Sequence, residues 1–471
     1  MYMAAYSPLD FKILIFLSLI IFLMIIENHS TRKKVIYSFL YFFFIHIIGI
    51  SWINISLISY GSMNIFSSLI VTIILLLIVS IPYTLIGFFH KPVNNNSFYN
   101  LNVISLLFLL AEYIKSIILG GFPWLLIGHS QNASIFNYIY PIFGSYFVTY
   151  LCVLISAFFY KTLINQNKKY IYLSFVFLVT YLSYPANINY HEEFNEKKIS
   201  YSIYQPNIYP NQSYNPEEYK KISQKYINYI RKKDSSDITI LPETITPYVL
   251  MRNNELLSEI IKYSNDKKII IAGFFTQSKD NIHNSMTVFS DSIALYNKRK
   301  LVPFGEYTPW YDTLIKLSQS LAIPLSNITH GSDEQDEIYV NGLKIIPIIC
   351  FESTFPNIID STMRNEIIIN ISNDSWFGES LAPYQHLQIT QIRALEFNRY
   401  ILRATNTGIS AVIDNNGVII DQISNNSEGE MNGFAYIGLN KSIYSQFGDL
   451  GILMLLFLSS LFKLYNKPKR L

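Results

Sequence analysis

The chain has 471 residues, half of them hydrophobic and only 15% charged, with a mean hydropathy of +0.24. Soluble domains carry roughly a quarter of their residues as charges, so this composition places part of the chain in lipid. A net charge of +3 without a long basic run excludes a nucleic-acid partner, and two cysteines with eight scattered histidines offer neither a disulfide scaffold nor a metal-ligand spacing.

Six apolar stretches come first: 11–26, 35–58, 63–89, 101–119, 139–160 and 169–186. A seventh, 447–464, lies near the carboxyl end. A helix that crosses the hydrocarbon core needs about 20 residues, so the first stretch is slightly short and the third is long enough to tilt. Basic residues mark the orientation. Arg32, Lys33 and Lys34 fill the loop 27–34, Lys161, Lys168 and Lys169 flank the loop 161–168, and Lys463, Lys467, Lys469 and Arg470 fill the tail. The loops near 59–62 and 120–138 carry no Lys or Arg. The positive-inside rule then puts the amino terminus and the polar region 190–446 together on the outer side. An outer amino terminus without a signal sequence is unusual, so a further span is expected ahead of residue 1. Glu112 and Lys115 stand three apart within an apolar run. Ionisable groups at membrane depth are paired or functional, and a structural tie to neighbouring helices is the expected role here.

The expected organisation is a helical membrane bundle of about six spans (1–189), one folded domain (190–446), and a terminal anchor with a basic tail (447–471). Within the folded domain, "ISYSIY" (199–204), "ITILPE" (238–243), "KIIIAGFF" (268–275), "LKIIPIICFE" (343–352) and "EIIINISND" (366–374) read as buried strands. They are short, rich in isoleucine and end in polar residues. The stretches 216–233 and 382–399 read as amphipathic helices, and "VIDNNGVII" (412–420) as a hairpin around Asn-Gly. Alternating strands and helices of this kind predict an α/β layered domain.

In such sheets functional residues collect at the carboxyl ends of strands. Glu243 in "ILPET", Lys298 in "LYNKRKL" and Cys350 in "IICFES" all stand at such ends. Each also has a plainer reading: Cys350 as packing, Glu243 as a strand-end surface group, Lys298 as part of a solvated charge cluster. Taken together they can transfer an acyl group. A glutamate takes the thiol proton, a cysteine attacks a carbonyl, and a lysine meets the developing oxyanion.

"LPET", "YNKRKLVPFGEYTPW" and "ICFES", in that order, resemble the Glu–Lys–Cys motifs of the nitrilase-type carbon–nitrogen hydrolase superfamily. More narrowly, "LVPFGEYTP", "ISNDSWFG", "QHLQITQIRALEFNRYILRATNTGIS" and "GGFPWLLIGHSQ" resemble the bacterial apolipoprotein N-acyltransferase family over nearly the whole chain. The resemblance implies a nitrilase-like αββα sandwich inserted between the transmembrane helices of a polytopic membrane domain. It implies Glu243 as general base, Lys298 (rather than Lys300) as oxyanion stabiliser and Cys350 as nucleophile. Glu306 and Glu352 match supporting acidic positions, Phe351 stands where a tyrosine is common, and Tyr214 falls near a position often held by tryptophan. The segment 307–325 with Trp310, and the segment 374–380 with Trp376 and Phe377, are candidate apolar walls for lipid substrates. The implied reaction moves a fatty acyl chain from a membrane phospholipid, through a cysteine thioester, to the α-amine of a diacylglyceryl-cysteine on an apolipoprotein. It uses no metal or other cofactor. The implied location is the bacterial inner membrane, with the catalytic domain on the periplasmic side. The alternative is a membrane-anchored nitrilase-like amidase in which water replaces the amine.

Overall fold

Isoleucines that alternate between two faces build the α/β part of the chain. The computed structural model describes residues 1–59, 61, 63–92, 98–165, 168–184, 197–209, 216–232, 236–247, 249–250, 254–264, 268–308, 328–340, 342–361, 366–437, 440–449 and 451. They fall into two compact units. One comprises Met1–Ser51, Thr72–Asn189 and Ser442–Leu471, and the other Trp52–Val71 and Tyr190–Lys441.

The second unit holds two six-stranded sheets. In chain order the strands are β1 (Lys198–Gln205), β2 (Ile238–Ile240), β3 (Ile269–Ser278), β4 (Asn281–Phe289), β5 (Ile293–Asn297), β6 (Ile338–Val340), β7 (Leu343–Ile349), β8 (Glu366–Ser372), β9 (Ile401–Thr405), β10 (Ser410–Ile413), β11 (Ile419–Ile423) and β12 (Gly429–Tyr436). One sheet runs β12-β1-β2-β3-β4-β5 and the other β11-β10-β9-β8-β7-β6. The centres are parallel (β1, β2, β3 and β7, β8, β9) and the edges antiparallel. This is the nitrilase-like layered fold that the resemblance implies.

Period-two alternation explains the layers. In β3, Ile269 and Ile271 join Ile240, Ile345, Ile349, Ile367, Ile369 and Leu402 in the core between the sheets. The intervening Ile270, Ala272 and Phe274 face Tyr226, Ile230, Leu256 and Ile260 of the helices Pro216–Lys232 and Asn254–Ser264. A third helix, Ala382–Phe397, is buried along nearly its whole length, which its mixed polar composition conceals. Each fully buried isoleucine contributes roughly 1.5–3 kcal/mol relative to exposure, so this double-faced burial is the main stabilising term of the unit.

The first unit is helical. Among the described residues, three helices are long and apolar enough to cross a membrane: Thr31–Ile50, Tyr140–Ile164 and Ile65–Phe89, the last of which begins in the second unit and passes into the first at Thr72. Leu14–Ile26 and Ile171–Leu182 are shorter apolar helices, and Phe98–Lys115 carries the two charges noted above. Glu112 accepts from the Ile127 amide at 2.7 Å and the Thr149 hydroxyl at 2.6 Å. Lys115 donates to the Tyr83 hydroxyl at 3.0 Å and the Trp124 carbonyl at 2.9 Å. Both groups are therefore structural ties. The apolar stretch 35–58 is not one helix. It ends at Ile50, and the short helix Ile53–Ser59 groups with the second unit. The closing span 447–464 lies largely outside the described residues.

Candidate active site

Strand register brings Glu243 and Lys298 together, and Cys350 stands at a strand end of the second sheet. Pairing of Ser285 with Asn297 continues into a hydrogen bond from the Lys298 amide to the Asn284 carbonyl, 2.8 Å long, which fixes Lys298 beside Asn284. Glu243 follows β2 and runs against β3, where the Gly273 amide donates to the Pro242 carbonyl at 3.0 Å. Gly273 has no room for a side chain. A Cβ there would stand 2.6 Å from the Glu243 Cα and 2.5 Å from the Thr244 nitrogen.

The lysine is buried between two carboxylates. Lys298 Nζ lies 3.2 Å from Glu243 Oε1 and 2.9 Å from Glu306 Oε1. Burial alone lowers the lysine pKa, but Glu243 and Glu306 more than offset it, so the ammonium is held well above its ordinary value. Asn284, which sequence reasoning passed over, donates from Nδ2 to both carboxylates at 2.7 Å. The available signal was a polar residue at a buried position of an alternating strand. Glu306 is anchored in turn by the Val302 amide at 2.8 Å. The second oxygen of Glu243, Oε2, is buried without a hydrogen-bond partner. Such a site costs about 1–3 kcal/mol when unsatisfied, and it is open to a hydrogen-bond donor.

Cys350 comes from the other sheet. Pairing of Ile349 with Ile371 sets it beside Ser372. Its φ is +51°, a left-handed conformation that costs a non-glycine residue about 1–2 kcal/mol. Local strain of this kind clusters at functional positions. Burial, and then the charge of Glu243, push the thiol well above its ordinary pKa, with Lys298 opposing. That setting favours the thiol over the thiolate, so a nucleophilic role for this sulfur would require a base.

Glu352 ties the two strand ends to each other. Oε1 accepts from the Arg299 amide (2.6 Å), the Lys300 amide (3.2 Å) and the Tyr296 hydroxyl (2.9 Å). Oε2 accepts from the Ile349 amide at 2.8 Å. This one carboxylate thus holds the chain immediately after Lys298 and immediately before Cys350. Lys300 instead stands over the Phe355 ring, 5.5 Å from its centre. Phe351, half-buried, packs edge-on against Phe355.

Trp376 and Phe377 form a wall with the helix Ile53–Ser59. The Ser56 hydroxyl donates to the Trp376 carbonyl at 2.7 Å, and the Phe377 ring meets Trp52 edge-on with centroids 4.7 Å apart. The Trp376 ring lies over Gly305, next to Glu306. Tyr214 and Trp310 lie outside the described residues, as does most of the segment 307–325. No group of His, Cys, Asp or Glu among the described residues is arranged to hold a metal ion.

The carbon–nitrogen hydrolase model matches residues 202–437, half of the chain. The chain belongs to the carbon–nitrogen hydrolase family. Residues 1–158 match the apolipoprotein N-acyltransferase N-terminal domain, so its place is in the acyltransferase branch of that family. Apolipoprotein N-acyltransferases from Haemophilus ducreyi (26% identical, covering 99% of this chain and 94% of that one) and Wigglesworthia glossinidia brevipalpis (29%, covering 89% and 86%) are among its relatives. Among solved structures, a CN-hydrolase superfamily protein from Xanthomonas campestris aligns with 55% of this chain and 97% of its own, at 15% identity and a TM-score of 0.40.

Proposed function

We propose that Glu243, Lys298 and Cys350 carry out the N-acyl transfer of this membrane protein, moving a fatty acyl chain from a phospholipid to the α-amine of an apolipoprotein. The observation that carries the reading is the buried lysine between two carboxylates, one of which keeps an oxygen unengaged.

The steps follow from these groups. Glu243 takes the thiol proton as the Cys350 sulfur bonds to the ester carbonyl carbon, and Lys298 meets the negative oxygen that forms. The intermediate collapses by breaking the bond to the glycerol oxygen. Glu243 returns the proton to that oxygen, and the lysophospholipid leaves behind a thioester. The α-amine then bonds to the thioester carbon and the carbon–sulfur bond breaks. The amine gives up a proton through Glu243, which restores the thiol. The two half-reactions make the kinetics ping-pong. The chemistry takes place on the outer face of the inner membrane, a placement supported by the basic residues of the loops 27–34 and 161–168.

The test is intact-mass measurement of the purified protein after incubation with phospholipid alone. One acyl group on Cys350, discharged onto the amine of an added diacylglyceryl-cysteine peptide, is the expected outcome. Continuous release of fatty acid, with no adduct and no transfer, would make the protein a membrane-anchored hydrolase instead.

A further inference from the structure

A second buried network reaches the nucleophile from behind, and the acyl-transfer steps do not use it. His386, on the helix Ala382–Phe397, is fully buried, and its Nε2 lies 3.1 Å from the backbone carbonyl of Cys350 and 2.9 Å from the Ser353 hydroxyl. Its Nδ1 lies 3.1 Å from Asp374 Oδ1 and 3.1 Å from Arg403 Nη2. The same Arg403 nitrogen donates to Asp374 Oδ2 at 2.8 Å, and the Arg403 Nε donates to the Ile409 carbonyl at 3.3 Å. Asn370 accepts from the other guanidinium nitrogen, and the Ser372 hydroxyl donates to Asp374 Oδ1 at 2.7 Å. Asp374 and Arg403 are fully buried as well, and Gly408 has no side chain because a Cβ there would stand 2.4 Å from Asp374 Oδ2.

Nδ1 meets both a donor, the Arg403 guanidinium, and an acceptor, the Asp374 carboxylate, so the hydrogen of the ring is assigned from its other nitrogen. A guanidinium nitrogen can only donate and a carbonyl oxygen can only accept. Burial, and then the charge of Arg403, lower the imidazole pKa from its ordinary value, with Asp374 opposing. Only a ring with its hydrogen on Nε2 can bond the Cys350 carbonyl; Nδ1 then accepts from Arg403, and the Ser372 hydroxyl serves Asp374 Oδ1. Asp374, held ionised against the cost of burial by Arg403 and His386, keeps the guanidinium aimed.

We propose that His386 is a positioning residue for the nucleophile: its Nε2–H clamps the Cys350 carbonyl, holding residue 350 in its left-handed conformation with the thiol directed towards Glu243 and Lys298. Arg403 and Asp374 set the ring's orientation. A peptide at φ +51° does not stay there without fixed partners. The carbonyl of Cys350 is the atom through which a partner can hold that conformation without touching the sulfur.

The proposal rests on Cys350 being the acylated residue, and the experiment separates the two claims. Full-length protein in detergent is mixed with phosphatidylethanolamine vesicles, and the acyl adduct is followed by quench and intact mass across donor concentrations. His386→Leu preserves volume but removes the donor; His386→Gln places an N–H near the position of Nε2. The leucine variant is expected to form the Cys350 adduct about 10²-fold more slowly, the usual consequence of a misplaced reacting group, with an unchanged half-saturating donor concentration. The glutamine variant is expected to recover at least tenfold of that loss. If the leucine variant does not accumulate, Arg403→Lys takes its place, because a single ammonium cannot serve Asp374, Asn370 and His386 together; a lower maximal rate at unchanged half-saturation supports the proposal. Adduct formation at the parent rate in His386→Leu or Arg403→Lys overturns it while leaving the nucleophile assignment intact. Equal slowing in the leucine and glutamine variants, matched by equal loss of thermal stability, overturns it in favour of simple packing. An adduct on a residue other than Cys350 in the parent protein overturns both claims.

Discussion

Cys350, Lys298 and Glu352 make different demands on the chemistry, and each can be tested alone. Cys350→Ala is expected to abolish transfer while membrane insertion stays near normal, as read from acyl transfer and from the amount of protein in membranes. Under the proposed mechanism Lys298→Ala removes the oxyanion donor, a change that costs about 10²–10³ in rate in comparable sites, whereas Lys300→Ala, which removes only a contact over Phe355, should be mild. A reversed ranking of the two lysines would overturn the assignment. The raised pKa of the Cys350 thiol has a sign that can be read directly. Thiolate is scarce at neutral pH, so alkylation by a small neutral reagent should keep rising with pH past the ordinary thiol value near 8.5 rather than levelling off below it. The same sign means that the buried thiol stabilises the fold fully below that value, and that this contribution is lost as pH climbs through the higher folded-state pKa. Glu352→Gln should slow acylation more than it lowers the melting temperature, because it loosens the Arg299 and Ile349 amides on either side of the site.

At the scale of elements, the wall beside Glu306 is built from residues far apart in the chain. Leu57 and Met63 cluster with Phe304, while Ser56 and Trp52 hold Trp376 and Phe377. A thioester is attacked by any nucleophile that reaches it, and excluding water is how a site suppresses that loss. Trp376→Gln and Trp52→Ala are therefore expected to raise fatty-acid release severalfold without removing the first burst of lysophospholipid, measured by separating the two products. An unchanged ratio of fatty acid to transferred acyl group would show that this wall does not keep water out. Gly273→Ala belongs to the same scale. The added methyl group would overlap the Glu243 backbone, and overpacking of this kind costs roughly 1–3 kcal/mol, so both melting temperature and acylation should fall.

For the whole molecule, reporter fusions after residues 34, 95 and 168 should be cytoplasmic and fusions within 190–446 external; a cytoplasmic signal from the second region would remove the lipoprotein substrate. The sequence by itself determined a good deal. Apolar length and basic loops marked a membrane chain, short isoleucine-rich runs with polar ends marked the buried strands of the α/β unit, and Glu243, Lys298 and Cys350 stood out because strand ends are local signals. Tertiary structure alone decided the rest. Whether Lys298 was solvated or buried depended on Glu243 arriving from the end of β2 and Glu306 from the turn that follows the lysine, and Asn284 mattered only because the register of β4 with β5 set it under both carboxylates. The helix Ile53–Ser59 read as part of a span because it is apolar, but apolar surface packs as readily on a protein wall as in lipid. His386 read as an ordinary helix residue, and Arg403 fell in no expected element. A hydrogen bond between residues 36 positions apart, such as that from His386 to the Cys350 carbonyl, leaves no periodicity in either segment. Period reports which face of an element is buried, whereas chemistry at a site depends on which faces meet, and only the folded chain brings them together.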